Sequence, residues 1–275
     1  MHSRRTFLAA FLAASLPLSA LAQTAPSGEI LLWPNGAPGA AKVKVEQVVG
    51  RSASGSLFVT GVTRPSLVVY RPRGPYTKAV LVIPGGGFRQ VVSGKEGHDI
   101  AKWLADNGVA AGVLTYRLTS EGWPQGDQIM LEDSQRAIRL LRQQTGAAKV
   151  GALGFSAGGR VAVMLDGGAA RKVYQPIDAA DALPAKPDFI GLGYGVFYNR
   201  DMAKAPAPAF IFHAQDDPKV PVSVARTAYE AITRAGGKAE LHVFPTGDHG
   251  FALVSPPGSP SAAWPGLFLD WLARL

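Results

Sequence analysis

The sequence predicts an α/β fold: a mostly parallel central sheet with helices on both faces. Three observations carry this. Short apolar runs alternate with stretches of helical period along most of the chain, the pattern of strands joined by crossover helices. The run at 79–83, Ala-Val-Leu-Val-Ile, is apolar without a break, as suits a central strand buried on both faces. The run at 150–153 leads directly into Gly154-Phe155-Ser156-Ala157-Gly158, a strand, a sharp turn and a helix start.

Taken in order, residues 23–65 are rich in Gly, Pro and Ser and predict an N-terminal arm with one or two short strands, including 42–49. Strands follow at 67–70 and 79–83, each stopped by a proline at 72 or 84. Ile100, Trp103 and Leu104 recur at helical spacing up to the stop Asn107-Gly108. A strand at 109–116 precedes a helix at 130–144, which Gly146 closes. Strand 149–153 and helix 156–165 flank the turn at Ser156. Three more strands at 189–192, 209–212 and 239–244 alternate with helices at 222–235 and 262–272, the last starting later if Pro265-Gly266 delays it. Residues 167–188, rich in Ala, Asp and Pro, break the rhythm. They predict an insertion, either a small cap or a surface loop.

The first residues have a different character. Arg4 and Arg5 precede an apolar run from Phe7 to Leu18, and Ala20-Leu21-Ala22 is a small-x-small cleavage site. Ser3-Arg4-Arg5-Thr6-Phe7-Leu8 reads as a twin-arginine export signal. The expected organisation is a signal peptide at 1–22 and one domain at 23–275, in a periplasmic or secreted protein. No other stretch is long and apolar enough to span a membrane. The chain has no cysteine, which excludes disulfides, a thiol nucleophile and thiolate metal sites. Its five histidines show no zinc-helix spacing, so no metal is expected. The formal charge is +8, but the basic residues are scattered, without an aromatic-interleaved patch. No nucleic-acid partner is therefore expected. Neither composition nor patterning assigns an oligomeric state.

A serine hydroxyl is inert until a base and a fixed geometry activate it. The candidate base is His249 in Gly247-Asp248-His249-Gly250-Phe251, just after the strand at 239–244. The candidate acid is Asp216 or Asp217, just after the strand at 209–212. Ligands of open parallel sheets gather at that carboxyl edge. His249 would take the Ser156 proton, and the aspartate would orient the imidazole. His213 and His242 belong to strand segments and suit structural roles. Pro84-Gly85-Gly86-Gly87-Phe88 follows the central strand. It lacks the Gly-Lys-Ser/Thr continuation of a phosphate loop. The N–H groups of Gly86 or Gly87 and of Ala157 are the expected oxyanion donors. Phe88, Tyr194, Phe197, Tyr198 and Phe251 are candidate substrate contacts, with core packing the competing role for each. No cofactor is required by this chemistry.

Together these residues resemble the α/β-hydrolase superfamily over nearly all of the chain after the signal. They are most similar to exported esterases of the acetylxylan esterase or xylanase-like branch. Leu31-Leu32-Trp33-Pro34-Asn35-Gly36-Ala37-Pro38-Gly39, the Pro84–Phe88 glycines, Glu96-Gly97, Trp103-Leu104, Tyr116-Arg117-Leu118, Asp133, Arg136-Ala137 and Gly154–Gly159 carry the likeness. Pro84 stands where some related esterases have histidine, although this branch often carries proline, and the likeness departs at 123–126, where a His-Pro pair is expected. The resemblance implies Ser156 as nucleophile and His249 as base. Its spacing before Val220-Pro221 selects Asp217 over Asp216. It implies hydrolysis of short acyl esters, acetyl above all, on a carbohydrate or small alcohol. A peptidase of the same fold and a catalytically silent carbohydrate-binding protein are the competing functions.

Overall fold

The structure is a computed structural model that describes residues 26–256 and 258–275. The segment read as a signal peptide, 1–22, lies outside the described residues. The described residues form ten strands and five α-helices: β1 (Ile30–Leu31), β2 (Val48–Arg51), β3 (Leu57–Thr60), β4 (Ser66–Tyr70), β5 (Lys78–Ile83), α1 (Asp99–Asp106), β6 (Ala110–Thr115), α2 (Gln128–Thr145), β7 (Lys149–Phe155), α3 (Ala157–Gly168), β8 (Ile190–Gly193), β9 (Ala209–Ala214), α4 (Ser223–Arg234), β10 (Ala239–Phe244) and α5 (Trp264–Ala273).

Eight strands form one sheet in the order β1-β4-β6-β5-β7-β8-β9-β10. The β1–β4 and β4–β6 pairs are antiparallel, and all the others are parallel. β5 lies at the centre, with five of its six residues buried. Its side chains divide by the period of two. Val80 and Val82 join a core with Ile100, Leu104, Phe155, Phe212, Trp264 and Phe268, under α1 and α5. Leu81 and Ile83 join the opposite core with Ile138, Leu141, Val161 and Ile232, under α2, α3 and α4. Each face thus has its own apolar layer, which is why the middle strands show no polar alternation. This is the α/β-hydrolase arrangement.

Two sequence-level expectations shift. The strand expected at 42–49 is present only at its end: Ala40–Lys42 is a short 3-10 turn, and pairing begins at Val48 in β2. β2 and β3 make a separate two-stranded antiparallel hairpin. Its register is set by the turn at 52–56, where Ser52 N–H donates to Ser56 O and Gly55 adopts φ 79°. Before β2, the carbonyl of Glu46 presses against Gly61, where a Cβ would lie 1.9 Å away. The last helix starts at Trp264, after a 3-10 turn at Pro260–Ala263, with Pro265 in its first turn.

Residues 167–188 are fastened to α2. Arg136 bridges to Asp178 and Asp181, and Arg139 donates to Leu183 O. None of these residues lines the cavity at Ser156. The Trp33, Arg117 and Asp133 motifs meet in one buried lock. Arg117 Nη2 donates to Asp133 Oδ1 and to Glu132 Oε2, both at 2.8 Å, while Trp33 Nε1 donates to Asp133 Oδ1 at 2.7 Å. The guanidinium also packs on the rings of Trp33 and Trp123. Motifs far apart in the chain thus tie the N-terminal arm and β6 to α2. Among the described residues no helix is long and apolar enough to cross a membrane.

Candidate active site

The nucleophile turn is built by sterics. Ser156 sits between β7 and α3 with φ 49° and ψ −119°, a backbone that L-residues rarely adopt. A Cβ on Gly154 would lie 2.2 Å from Gly158 O, and one on Gly158 would lie 2.0 Å from Ile83 O. The two glycines therefore let α3 close onto β7 and β5 while Ser156 projects at the sheet's carboxyl edge.

The other two groups arrive on neighbouring strands. Asp217 follows β9 and His249 follows β10, and these strands pair in parallel. Ser156 Oγ lies 3.0 Å from His249 Nε2, and His249 Nδ1 lies 2.7 Å from Asp217 Oδ2. The other oxygen of Asp217 accepts from the N–H groups of Lys219 and Val220 at 2.8 and 2.9 Å. With Nδ1–H directed at the carboxylate, Nε2 is left to accept from the serine. Ser156, His249 and Asp217 thus form a serine-hydrolase-like arrangement.

Asp216, the competing carboxylate, has another task. Its Oδ1 accepts from the N–H groups of Gly247 and Asp248, both at 2.9 Å, and so anchors the loop carrying His249. Two adjacent aspartates in one turn are the signal in the sequence. Their division of labour depends on which way the turn points each side chain.

Gly86, Gly87, Phe88 and Ala157 line the cavity with Ser156 and His249. Ala157 opens α3, so its N–H has no intrahelical acceptor. Gly86 has φ 129°, and a Cβ there would lie 2.1 Å from Gln90 O. Behind this loop stands Glu96, which sequence reasoning had given no role. It is 3% exposed; its Oε2 accepts from Gly85 N–H at 2.9 Å and its Oε1 from Tyr194 O–H at 3.1 Å. Burial pushes its carboxyl up, against the opposing pull of the Gly85 N–H and of Lys95. Tyr116 O–H donates to Pro84 O at 2.9 Å and holds the start of the same loop.

Of the five aromatic candidates, only Phe88 lines the cavity. Tyr194 and Phe251 pack in the core under α1 and α5, although the Tyr194 ring stands edge-on to His249 with centroids 5.2 Å apart. Phe197 is buried in the opposite core. Tyr198 is exposed and packs on the Arg160 guanidinium. The wall that the sequence reading missed is the β2–β3 hairpin. Ser52, Ser54, Ser56, Leu57 and Phe58 line the same cavity of about 600 Å³.

His213 is structural. It is fully buried beside Asp217; its Nε2–H faces Val220 O at 2.8 Å, and among the described residues its Nδ1 meets no hydrogen-bond partner. Burial lowers its pKa. The unfolded ring takes up a proton near pH ~6.5. Between that value and the lower folded one, the unfolded chain holds more protons, so stability falls as pH drops through this window. His213→Asn is expected to lose less urea resistance than the parent between about pH 7 and pH 5. An equal loss in both proteins would place the acid sensitivity elsewhere.

His242 also lies apart from the site. It is carried by β10, with its ring against Phe210 at a centroid distance of 4.8 Å.

A model of the dienelactone hydrolase family matches residues 66–265. An acetylxylan esterase of Xylanibacter ruminicola is 28% identical over 217 residues, covering 69% of this chain and 44% of that protein. The match thus spans less than half the length of that relative. Among solved structures, an acetyl ester-xyloside bifunctional hydrolase from Caldicellulosiruptor lactoaceticus superposes with a TM-score of 0.70 at 25% identity, covering 92% of this chain and 96% of that one. A carboxylesterase from Lactobacillus plantarum superposes at 0.63 with 23% identity, covering 84% and 97%, a likeness of fold.

Proposed function

Because the chain belongs to the dienelactone hydrolase family, we propose from that membership and its Ser–His–Asp geometry that it is a serine esterase removing short acyl groups, chiefly acetyl, from a carbohydrate. The observation that carries the reading is the continuous relay from Ser156 Oγ to His249 Nε2 and from His249 Nδ1 to Asp217 Oδ2. The names of the Xylanibacter and Caldicellulosiruptor proteins support the acetyl and sugar parts.

In this reading, His249 Nε2 takes the proton as Ser156 Oγ attacks the ester carbonyl. The N–H groups of Ala157 and of Gly86 or Gly87 face the oxygen as negative charge builds on it. Asp217 stabilises the imidazolium without taking its proton. The imidazolium then protonates the departing alkoxide, leaving an acyl group on Ser156. Water, activated by the same imidazole, repeats the attack and releases the acid. No cofactor takes part in these steps. Export under the segment at 1–22 belongs to the same proposal and places the substrate outside the cytoplasm.

The test is a series of 4-nitrophenyl acetate, butyrate and octanoate, followed by acetate release from acetylated xylan. A steep fall with acyl length together with acetate release is the expected result. Preference for octanoate with no acetate from xylan would reject the sugar assignment and leave the triad standing. Inactivity towards all of them would move the reading to a peptidase or a silent binding protein.

A further inference from the structure

The β2–β3 hairpin borders the catalytic cavity, yet the reaction steps use none of its residues. It is fastened in place. Val59 and Val91 exchange N–H···O bonds of 2.9 and 2.8 Å, and Lys95 N–H donates to Ser56 Oγ at 3.1 Å. These contacts bind the hairpin to the segment running from the glycine loop to Glu96.

Within the hairpin, Phe58 has a prepared seat. It is paired directly with Gly50 across the two strands, so both residues lie on one face. A Cβ added to Gly50 would lie 2.4 Å from Phe58 Cζ and 2.9 Å from Cε2. The ring therefore leans over bare backbone, and any side chain at position 50 would lever it away. Phe58 is half-buried and lines the cavity. Close to it at the tip, Ser52 and Ser54 join through their hydroxyls at 2.9 Å. An aromatic face beside hydroxyls differs from the unbroken apolar lining that suits a long acyl chain. It matches a pyranose, whose C–H faces are apolar and whose rim is hydroxylated. The C–H hydrogens carry slight positive charge and meet the negative face of an aromatic ring. The cavity, about 600 Å³, also far exceeds the space an acetyl group needs.

We propose that Phe58, seated on Gly50, is a stacking platform for one sugar ring of the acylated substrate, with the serine tip of the hairpin meeting that ring's hydroxyls. The proposal rests on the carbohydrate-ester reading above and names the part of the molecule that selects for it.

The readout is a selectivity ratio: kcat/KM on acetylated xylo-oligosaccharides divided by kcat/KM on 4-nitrophenyl acetate, which has no sugar. Phe58→Ala is expected to lower the ratio about tenfold, mainly through KM on the oligosaccharide. Gly50→Ala keeps the ring but displaces it, and is expected to lower the ratio in the same direction. Phe58→Tyr should retain the ratio, whereas Phe58→Leu, apolar but without a π face, should not. Melting midpoints show which variants fold, and Gly50→Ala with Phe58→Leu carry the test if Phe58→Ala does not. An unchanged ratio in folded variants, or a leucine variant as selective as the parent, would overturn the platform. A parent that cleaves 4-nitrophenyl acetate and leaves the oligosaccharides untouched would overturn it together with the carbohydrate reading. That result differs from platform failure alone, in which the parent remains active on the oligosaccharides.

Discussion

Ser156→Ala is expected to lower ester turnover by about 10⁴- to 10⁶-fold, because the nucleophile and its base act as one unit. Removing the hydroxyl leaves His249 with nothing to activate except water, held in no defined position. The backbone should survive the change. Ser156 makes its main-chain bonds through N–H to Gly193 O at 2.9 Å and through its carbonyl to the N–H groups of Gly159 and Val196. None of these involves the side chain. The expected variant is therefore folded, with the melting midpoint of the parent, and is not labelled by a fluorophosphonate. The measurement is turnover of 4-nitrophenyl acetate beside a thermal melt. Retained turnover in a well-folded variant would remove Ser156 from the mechanism and with it the acyl-enzyme.

The largest expected effect on stability lies away from the chemistry, at Arg117. Its side chain is fully buried and serves two carboxylates at once, Asp133 and Glu132, themselves buried. It also donates to Pro38 O at 2.8 Å. Arg117→Ala would leave two buried negative charges facing each other without a counter-ion. Breaking a buried ion pair from one side costs about 3–5 kcal/mol, far more than the intact pair contributes over an apolar substitute. In a chain of this size that loss corresponds to a melting midpoint lower by on the order of 10 °C. Arg117→Lys should recover little, since one ammonium cannot reproduce the fork between Asp133 and Glu132 or the packing against Trp33 and Trp123. A drop of only a degree or two for the alanine variant would mean that water reaches the carboxylates and that the lock is looser than its geometry.

Much of this was legible in the sequence for identifiable reasons. The run at 79–83 announced a doubly buried strand because no polar residue interrupts it. The elbow was readable because its glycines are demanded by backbone approaches of about 2 Å, which leave no alternative residue. The order serine, aspartate, histidine after three apolar runs was enough to place all three groups at one sheet edge. The hairpin was not legible. Its register comes from the turn at Gly55, and the strand expected at 42–49 shares only Val48 and Val49 with β2. Four of the five aromatic candidates lie outside the cavity lining for a related reason. A tyrosine or phenylalanine just beyond a strand can turn into the core or into the cavity, and its neighbours in sequence do not say which. Tyr194, Phe197 and Phe251 turned inward, and Phe58, in the hairpin well before the glycine loop, faces the cavity beside Phe88. Arg117, Asp133 and Trp33 were visible as motif residues, but only their meeting in space shows that they hold the fold together.

One feature of the backbone bears on how such a protein can be improved. Among the described residues the non-glycine positions with left-handed backbone are Phe88, Ser156, Tyr194, Asp248 and Ala252, and all belong to the segments that build the catalytic rim. Conformations of this kind cost about 1–3 kcal/mol each, so the rim holds energy that the sheet beneath it supplies. Heat resistance selected by survival alone would draw on that reserve first, relaxing the rim and returning hardy but idle molecules. Gains that leave catalysis intact belong instead to the far end of the sheet and the outer helix faces, where none of the described non-glycine residues has a positive φ.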